Sequence, residues 1–176
     1  KYRVFYKDNN GNIKKDNVGN IVKSNIIGYY DQPDRNLIGK KYPIIEFRVS
    51  DHRLKFFSKA TGQTDPIYFD REYAKKKNHK GILCPPTFLI IVGMEQDNFY
   101  KYLQDLNVSI KSILHAEQEF IYEELVYEGD TLKMETVIED MFDKKQGLLQ
   151  FCTFKSIYKN QDNVHVATIR FTIVVR

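Results

Sequence analysis

Apolar and polar positions alternate along most of the second half of the chain. Thr131-Leu132-Lys133-Met134-Glu135-Thr136-Val137-Ile138 changes character at nearly every step. Such a period of two places one side of a strand in a core and the other toward solvent. Leu148 to Tyr158 and His165 to Val175 follow, the last rich in Val, Ile, Thr and Phe, and Glu117 to Tyr122 reads as a strand ahead of them. Glu128-Gly129-Asp130 marks a turn, and Asp143 to Gly147 and Asn160 to Asn163 are hairpin connections. Strands joined this closely run antiparallel.

The first half reads as helical. Ser50-Asp51 precedes Arg53 to Ala60, where Leu54, Phe57 and Ala60 recur at helical spacing, and Thr61-Gly62 ends the segment. Asp65-Pro66 is a turn signal before Ile67-Tyr68-Phe69, and Asp70 is placed to cap a short helix, Arg71 to Asn78. Gly81-Ile82-Leu83-Cys84-Pro85-Pro86 then opens the most apolar helix predicted, Thr87 to about Tyr102. Phe88, Leu89, Ile90, Ile91, Val92 and Met94 make it apolar almost all round, so it must be buried on several sides. An antiparallel sheet curled around one apolar helix is an α+β architecture, the hot-dog fold. Residues 1–36 differ in texture: Tyr2 to Tyr6 alternates, Asn10-Gly11 is a tight-turn dipeptide, and Asn12 to Asn20 has few apolar anchors. They are read as an N-terminal extension without an assigned role, with the domain over 37–176.

Charge and composition narrow the classes. The chain has 176 residues, 27 Lys+Arg against 23 Asp+Glu, and a formal charge of +4. A hydrophobic share of 42% argues against wholesale disorder. The longest apolar run, Phe88 to Gly93, is too short to span a bilayer, and no charged-then-apolar signal opens the chain, although position 1 is Lys rather than Met. The expectation is a soluble, cytoplasmic protein without a membrane partner. Cys84 and Cys152 lack C-x-x-C spacing and read as reduced, small hydrophobes. Lys75-Lys76-Lys77 with Lys80 is the densest cationic cluster; it could touch phosphate, of a nucleic acid or of a nucleotide-tailed carrier, and otherwise is a solvated helix face. The aromatic pairs, such as Tyr29-Tyr30 and Phe56-Phe57, sit beside apolar periodic positions, which favours core packing over nucleic-acid stacking. His52, His79 and His165 are isolated, so no metal or cofactor is expected, and a Cys84/His79 nucleophile would lack an orienting third group.

Several segments in chain order resemble the MaoC-type dehydratase N-terminal family: Leu37-Ile38-Gly39-Lys40, Phe57 to Gly62, Asp65 to Asp70, Cys84 to Phe88, His115 to Phe120 and Gly129 to Leu132. The resemblance covers roughly Leu37 to Arg176. It implies a hot-dog fold that pairs as a homodimer or with a related subunit, a place in fatty acid metabolism, and acyl thioesters of coenzyme A or acyl carrier protein as ligands. Active members of the family add or remove water across the C2–C3 bond of enoyl and (3R)-hydroxyacyl thioesters, with the acyl tunnel beside the central helix at the subunit interface.

That chemistry needs two groups that gain and lose a proton near neutral pH. Active relatives use an Asp and a His in a Gly-Asp-x-Asn-Pro-x-His-x-Asp pattern. Gly62, Pro66 and Asp70 match its Gly, Pro and last Asp, which puts Gln63 at the catalytic Asp, Asp65 at the Asn and Tyr68 at the His. A carboxamide has no proton to exchange in this range, and a phenol titrates at about 10. The backbone N–H that polarises the thioester carbonyl falls at Pro86, which has none, with the Thr87 amide next to it. No catalytic residue is therefore assigned. Gln63 and Tyr68 would occupy a vestigial site, with Asp65 beside them; Pro86, Thr87 and Phe88 would line the tunnel mouth. His115 would be either a substrate contact or a structural histidine. Asp65 and Asp70 as a replacement acid/base pair rank below turn and cap roles. The expected function is a dehydratase/hydratase subunit that binds the acyl chain for a catalytic hot-dog partner, as in heterodimers of this family. The alternatives are an active hydratase with atypical residues and a non-catalytic acyl-thioester-binding protein.

Overall fold

The computed structural model describes residues 33–176 apart from Gln146. The Tyr2–Tyr6 strand with its Asn10-Gly11 turn, and the Tyr29-Tyr30 pair, lie outside the described residues. Among the described residues, five strands form one antiparallel sheet: β1 (Ile45–Arg48), β2 (Ile113–Tyr122), β3 (Thr131–Lys144), β4 (Leu149–Lys159) and β5 (His165–Val175), in the order β1-β3-β4-β5-β2. Four helices accompany it: α1 (Asp51–Ala60), α2 (Arg71–Lys76), α3 (Ile90–Met94) and α4 (Lys101–Asp105).

The period-two reading of the sheet holds. In β4, Gln150, Cys152, Phe154, Ser156 and Tyr158 are buried while the residues between them are half-buried. The buried row faces the helices, and the other face carries a polar network: Arg170 donates to Glu139 (2.7 Å) and Glu119 (2.9 Å), and Lys155 pairs with Glu139. Register shifts interrupt β2 between His115 and Glu117 and β3 between Ile138 and Asp140. The extra residue of a bulge resets which side chains point inward. β1 carried no periodic signal, being four residues at the sheet edge with only Phe47 fully buried.

Local chemistry explains the short helices. Ser50 Oγ accepts from the Arg53 amide at the start of α1, and Asp70 accepts from the Glu72 and Tyr73 amides (2.9 and 3.0 Å) at the start of α2. Gly62 takes a left-handed φ of 72° where α1 ends, a conformation glycine adopts without a steric penalty.

The single long helix expected over 87–102 is not what forms. Pro85 and Pro86 cannot donate backbone hydrogen bonds, and Thr87 is left-handed at φ 69°, a strained conformation for a β-branched residue. The helix starts only at Ile90. It ends at Met94 because Gln96 Nε2 binds the Gly93 carbonyl (2.7 Å) and the polar run that follows turns; α4 begins again at Lys101. Burial is as expected at the front of this segment, where Phe88, Leu89 and Val92 are almost fully buried, whereas Met94 is 49% exposed.

Two apolar clusters flank the sheet's inner face. One holds Phe88, Leu89 and Val92 against Phe47, Leu54, Leu132 and Val166; the other holds Leu103 and Leu106 against Ile138, Phe154 and Ile173. Phe88 sits edge-on to Phe57 (centroids 5.4 Å) and tilted to Phe47 (6.1 Å). Phe88→Ala should cost about 3–5 kcal/mol in urea unfolding, the usual range for emptying such a site; a loss below about 1 kcal/mol would show that the cluster closes over the gap.

A charged clamp fixes the approach to this segment. Arg71 Nε and Nη2 donate to the two oxygens of Glu128 (2.6 and 2.7 Å), and the Ile82 amide donates to the same carboxylate (3.1 Å). A Cβ on Gly81 would stand 2.7 Å from Glu128 Oε1, so a larger residue here would have to push the clamped carboxylate aside. The Arg71 guanidinium, helped by the Ile82 amide, holds the Glu128 carboxyl below its usual range. A group more acidic in the folded than in the unfolded chain stabilises above its unfolded pKa and loses that effect as pH falls through the folded value. Glu128→Gln should lower Tm by a few degrees at neutral pH, with the difference from wild type closing in acid below about pH 4. An equal deficit at both pH values would contradict the ionic origin.

Candidate functional site

A cavity of about 350 Å³ lies between α3, the turn before α4 and the inner face of the sheet. Its walls join the two apolar clusters: Ile90 and Gly93 from α3, Tyr102 from α4, and Phe154, Tyr158 and Phe171 from β4 and β5. The aromatic side is rigidly assembled, with Phe154 stacked on Phe171 (centroids 4.6 Å) and Tyr102 edge-on to Phe154 (5.2 Å).

Several polar atoms on the wall are already hydrogen-bonded, while the buried Tyr42 hydroxyl has no partner. Thr136 and Ser156 hydroxyls bond across β3 and β4 (2.8 Å), Tyr158 OH donates to the buried Leu89 carbonyl (3.2 Å), and Gln118 Nε2 donates to the Arg170 carbonyl (3.1 Å). An apolar occupant therefore strands few hydrogen-bonding groups. The titratable side chains on the wall are His115, Lys101 and tyrosines; among the described residues no carboxylate lines the cavity. Burial pushes the Tyr158 and Tyr102 phenols up, so both remain protonated donors.

His115 stands at the exposed rim, 3.2 Å from Gln118 Oε1. Both reach the cavity because the bulge between His115 and Glu117 resets the alternation: His115 pairs with Ile173, Gln118 with Phe171, and the inward side then continues through Phe120 and Tyr122. A strict period of two would have sent Gln118 outward.

The remaining predicted site residues lie elsewhere. None of Gln63, Asp65, Tyr68, Pro86, Thr87 and Phe88 is on the cavity wall. Phe88 is 1% exposed in the core and not at a tunnel mouth. Asp65 accepts from the Ile67 amide (3.0 Å) and starts a short 3-10 turn over Pro66–Tyr68, and Asp70 caps α2, so both carboxylates hold backbone.

Tyr68 and Cys84 do lie near one another in a second corner. The Leu83 amide donates to the Ile67 carbonyl (3.2 Å), and the Tyr68 phenol lies in the field of Cys84. Burial first, then the Asp65 carboxylate, push that phenol above its ordinary value. The exposed Thr87 amide is already bonded to the Tyr122 hydroxyl (3.1 Å), a contact no sequence pattern signalled. Tyr122 and Tyr158 thus pin the turn ahead of α3 from two strands, on either side of Phe88.

Burial pushes the Cys84 thiol far up and raises Cys152 to about 12, while His79 Nδ1 lies 3.2 Å from Tyr127 OH, so no thiolate–imidazole pair forms. Among the described residues no group of His, Cys, Asp and Glu is arranged for a metal ion, and no helix is long and apolar enough to cross a membrane.

Comparison with known proteins places this geometry. The family described as FAS1-like, dehydratase domain region, matches residues 36–169. A UPF0336 protein of Saccharopolyspora erythraea is 24% identical over 144 residues, covering 81% of this chain and 91% of the relative. Among solved structures, the C-terminally truncated HadBC (3R-hydroxyacyl-ACP dehydratase) complex of Mycobacterium tuberculosis superposes with a TM-score of 0.67 at 21% identity, over 78% of this chain and 96% of that one. The ChsH1-ChsH2 complex of the same organism gives a TM-score of 0.59 at 17% identity, over 79% of this chain and 98% of that one. These likenesses establish the hot-dog fold. With most of its length inside one family profile, the chain belongs to the FAS1-like dehydratase family.

Proposed function

We propose that this chain is the acyl-binding subunit of a (3R)-hydroxyacyl- or enoyl-thioester dehydratase/hydratase, and that a second hot-dog chain supplies the acid and the base. One observation carries the reading: an apolar cavity of about 350 Å³ sits beside the central helical segment with no carboxylate on its wall among the described residues. The loop that resembles the catalytic motif points the same way, with Gln63 and a Tyr68 phenol raised by burial and by Asp65. A group held protonated through neutral pH donates a hydrogen bond but does not take a proton from water.

The volume suits an acyl chain rather than a bulky polar ligand; pockets of about 300 Å³ and above hold small organic molecules. Among the described strands β2 lies at the sheet edge, with one row of backbone groups unpaired by the others, and it carries exposed Leu114, Ile121 and Tyr122. A partner strand laid along β2 would extend the sheet and bring a second chain beside His115 and Gln118 at the rim. That HadBC and ChsH1-ChsH2 are complexes supports such an arrangement.

Turnover of crotonyl-coenzyme A and of a longer enoyl thioester, followed by loss of enoyl absorbance, tests this directly. The purified chain alone should be inactive, and a mixture with a hot-dog subunit bearing the Asp/His pair should be active. Robust turnover by the chain alone would overturn the proposal. Restoring the missing groups gives a second check: the Gln63→Asp/Tyr68→His double variant should hydrate crotonyl-coenzyme A at least about 100-fold above the wild-type background, the lower end of what positioned acid–base groups contribute. No rise in a folded double variant would mean that this loop is not the site of the lost chemistry.

A further inference from the structure

The basic stretch after α2 does not touch the apolar cavity, but it helps to build a second concavity. Arg48 at the end of β1, Arg71 and Lys75 one turn apart on α2, and Lys80 in the loop beyond surround an open space of about 480 Å³. Asp51 and Glu128 also line it, and both are engaged: Asp51 with Lys55 (3.3 Å), Glu128 with the Arg71 fork and the Ile82 amide. Lys75 reaches the exposed Glu72 (3.2 Å). Arg48 and Lys80 have no carboxylate partner among the ion pairs of the described residues. Arg71 gives only Nε and Nη2 to Glu128, so its Nη1 hydrogens remain for another acceptor, already fixed in direction by the fork.

We infer that this concavity is a phosphate-binding site for the carrier end of the acyl thioester, held by Arg48, Arg71 and Lys80. The inference rests on the reading of the chain as a thioester-binding subunit and adds where the carrier's phosphate sits. Its position fits: the chain runs from Gly81, against Glu128, to Cys84, beside Tyr68, in three residues, about 10 Å at the rise of extended backbone. A phosphorylated arm entering here would lead its thioester toward that corner. Charge excess rather than charge alone distinguishes the spot, since four cations face two carboxylates that are already paired. No aromatic side chain lines it, which removes the stacking surface that single-stranded nucleic acid uses.

Calorimetric titration of the full chain at low ionic strength, with octanoyl-coenzyme A and octanoyl-pantetheine as probes, tests the site. The phosphorylated ligand should bind about 10-fold or more tightly, and the preference should shrink with added salt. In the Arg48→Gln/Lys80→Gln double variant the preference should fall to within about 2-fold, while octanoyl-pantetheine affinity stays unchanged and certifies the fold. Octanoyl-3′-dephospho-coenzyme A and octanoyl-4′-phosphopantetheine then distinguish the source. Loss of the preference with the former assigns the nucleotide 3′-phosphate, and its retention with the latter assigns the phosphate of a carrier arm. An undiminished preference in the double variant, or no preference in wild type, overturns the site. Failure of octanoyl-pantetheine to bind, with phosphate-dependent binding of coenzyme A itself retained and abolished by the double variant, would overturn the acyl-binding reading and leave the phosphate site standing.

Discussion

The removal of Phe88, Leu89 and Val92 from water is the constraint on which the rest of this fold depends. Three large side chains in five residues cannot be sheltered by one neighbour. They draw in Phe47 from the sheet edge, Leu54 from α1, and Leu132 and Val166 from the inner face of the sheet. The backbone accepts a left-handed Thr87 to aim them inward, and two phenols, from β2 and β4, hold the turn by its Thr87 amide and Leu89 carbonyl. Strain of this kind persists only where the surroundings over-determine it.

The same packing leaves a gap further along. Because α3 stops at Met94 and α4 resumes only at Lys101, the middle of the sheet's inner face is incompletely covered, and the aromatic cavity is what remains. Several of its polar atoms are already hydrogen-bonded, and aromatic and aliphatic side chains make up most of its wall. The corner with Tyr68 and Cys84 has the opposite character: polar side chains are present, but burial and the Asp65 carboxylate keep the Tyr68 phenol protonated and burial keeps the Cys84 thiol protonated. Among the described residues the cavity wall holds no carboxylate.

The two carboxylates in the resembling loop illustrate how local duties outcompete chemistry. Asp65 and Asp70 accept from nearby backbone amides and organise a 3-10 turn and a helix cap. An Asp in such a place stabilises the loop that carries Gln63 and Tyr68 without joining them.

Much of this could be read from residue order, because the signals are local. The alternation in β3, β4 and β5, the caps at Ser50 and Asp70 and the turn at Gly129 all follow from neighbours within a few positions. What the sequence could not convey depends on residues brought together from far apart. Pro85, Pro86 and a left-handed Thr87 cut short a helix that its apolar residues alone would have prolonged, and Phe88 went to the core instead of the cavity. The bulge in β2 turned Gln118 inward beside His115, and Tyr122 took the Thr87 amide across a sequence separation of 35 residues. Hydrophobic period and capping chemistry act along the chain, so the sequence determined the elements. Cavity walls and long-range hydrogen bonds are made between elements, so only the tertiary structure decided where the cavity lies.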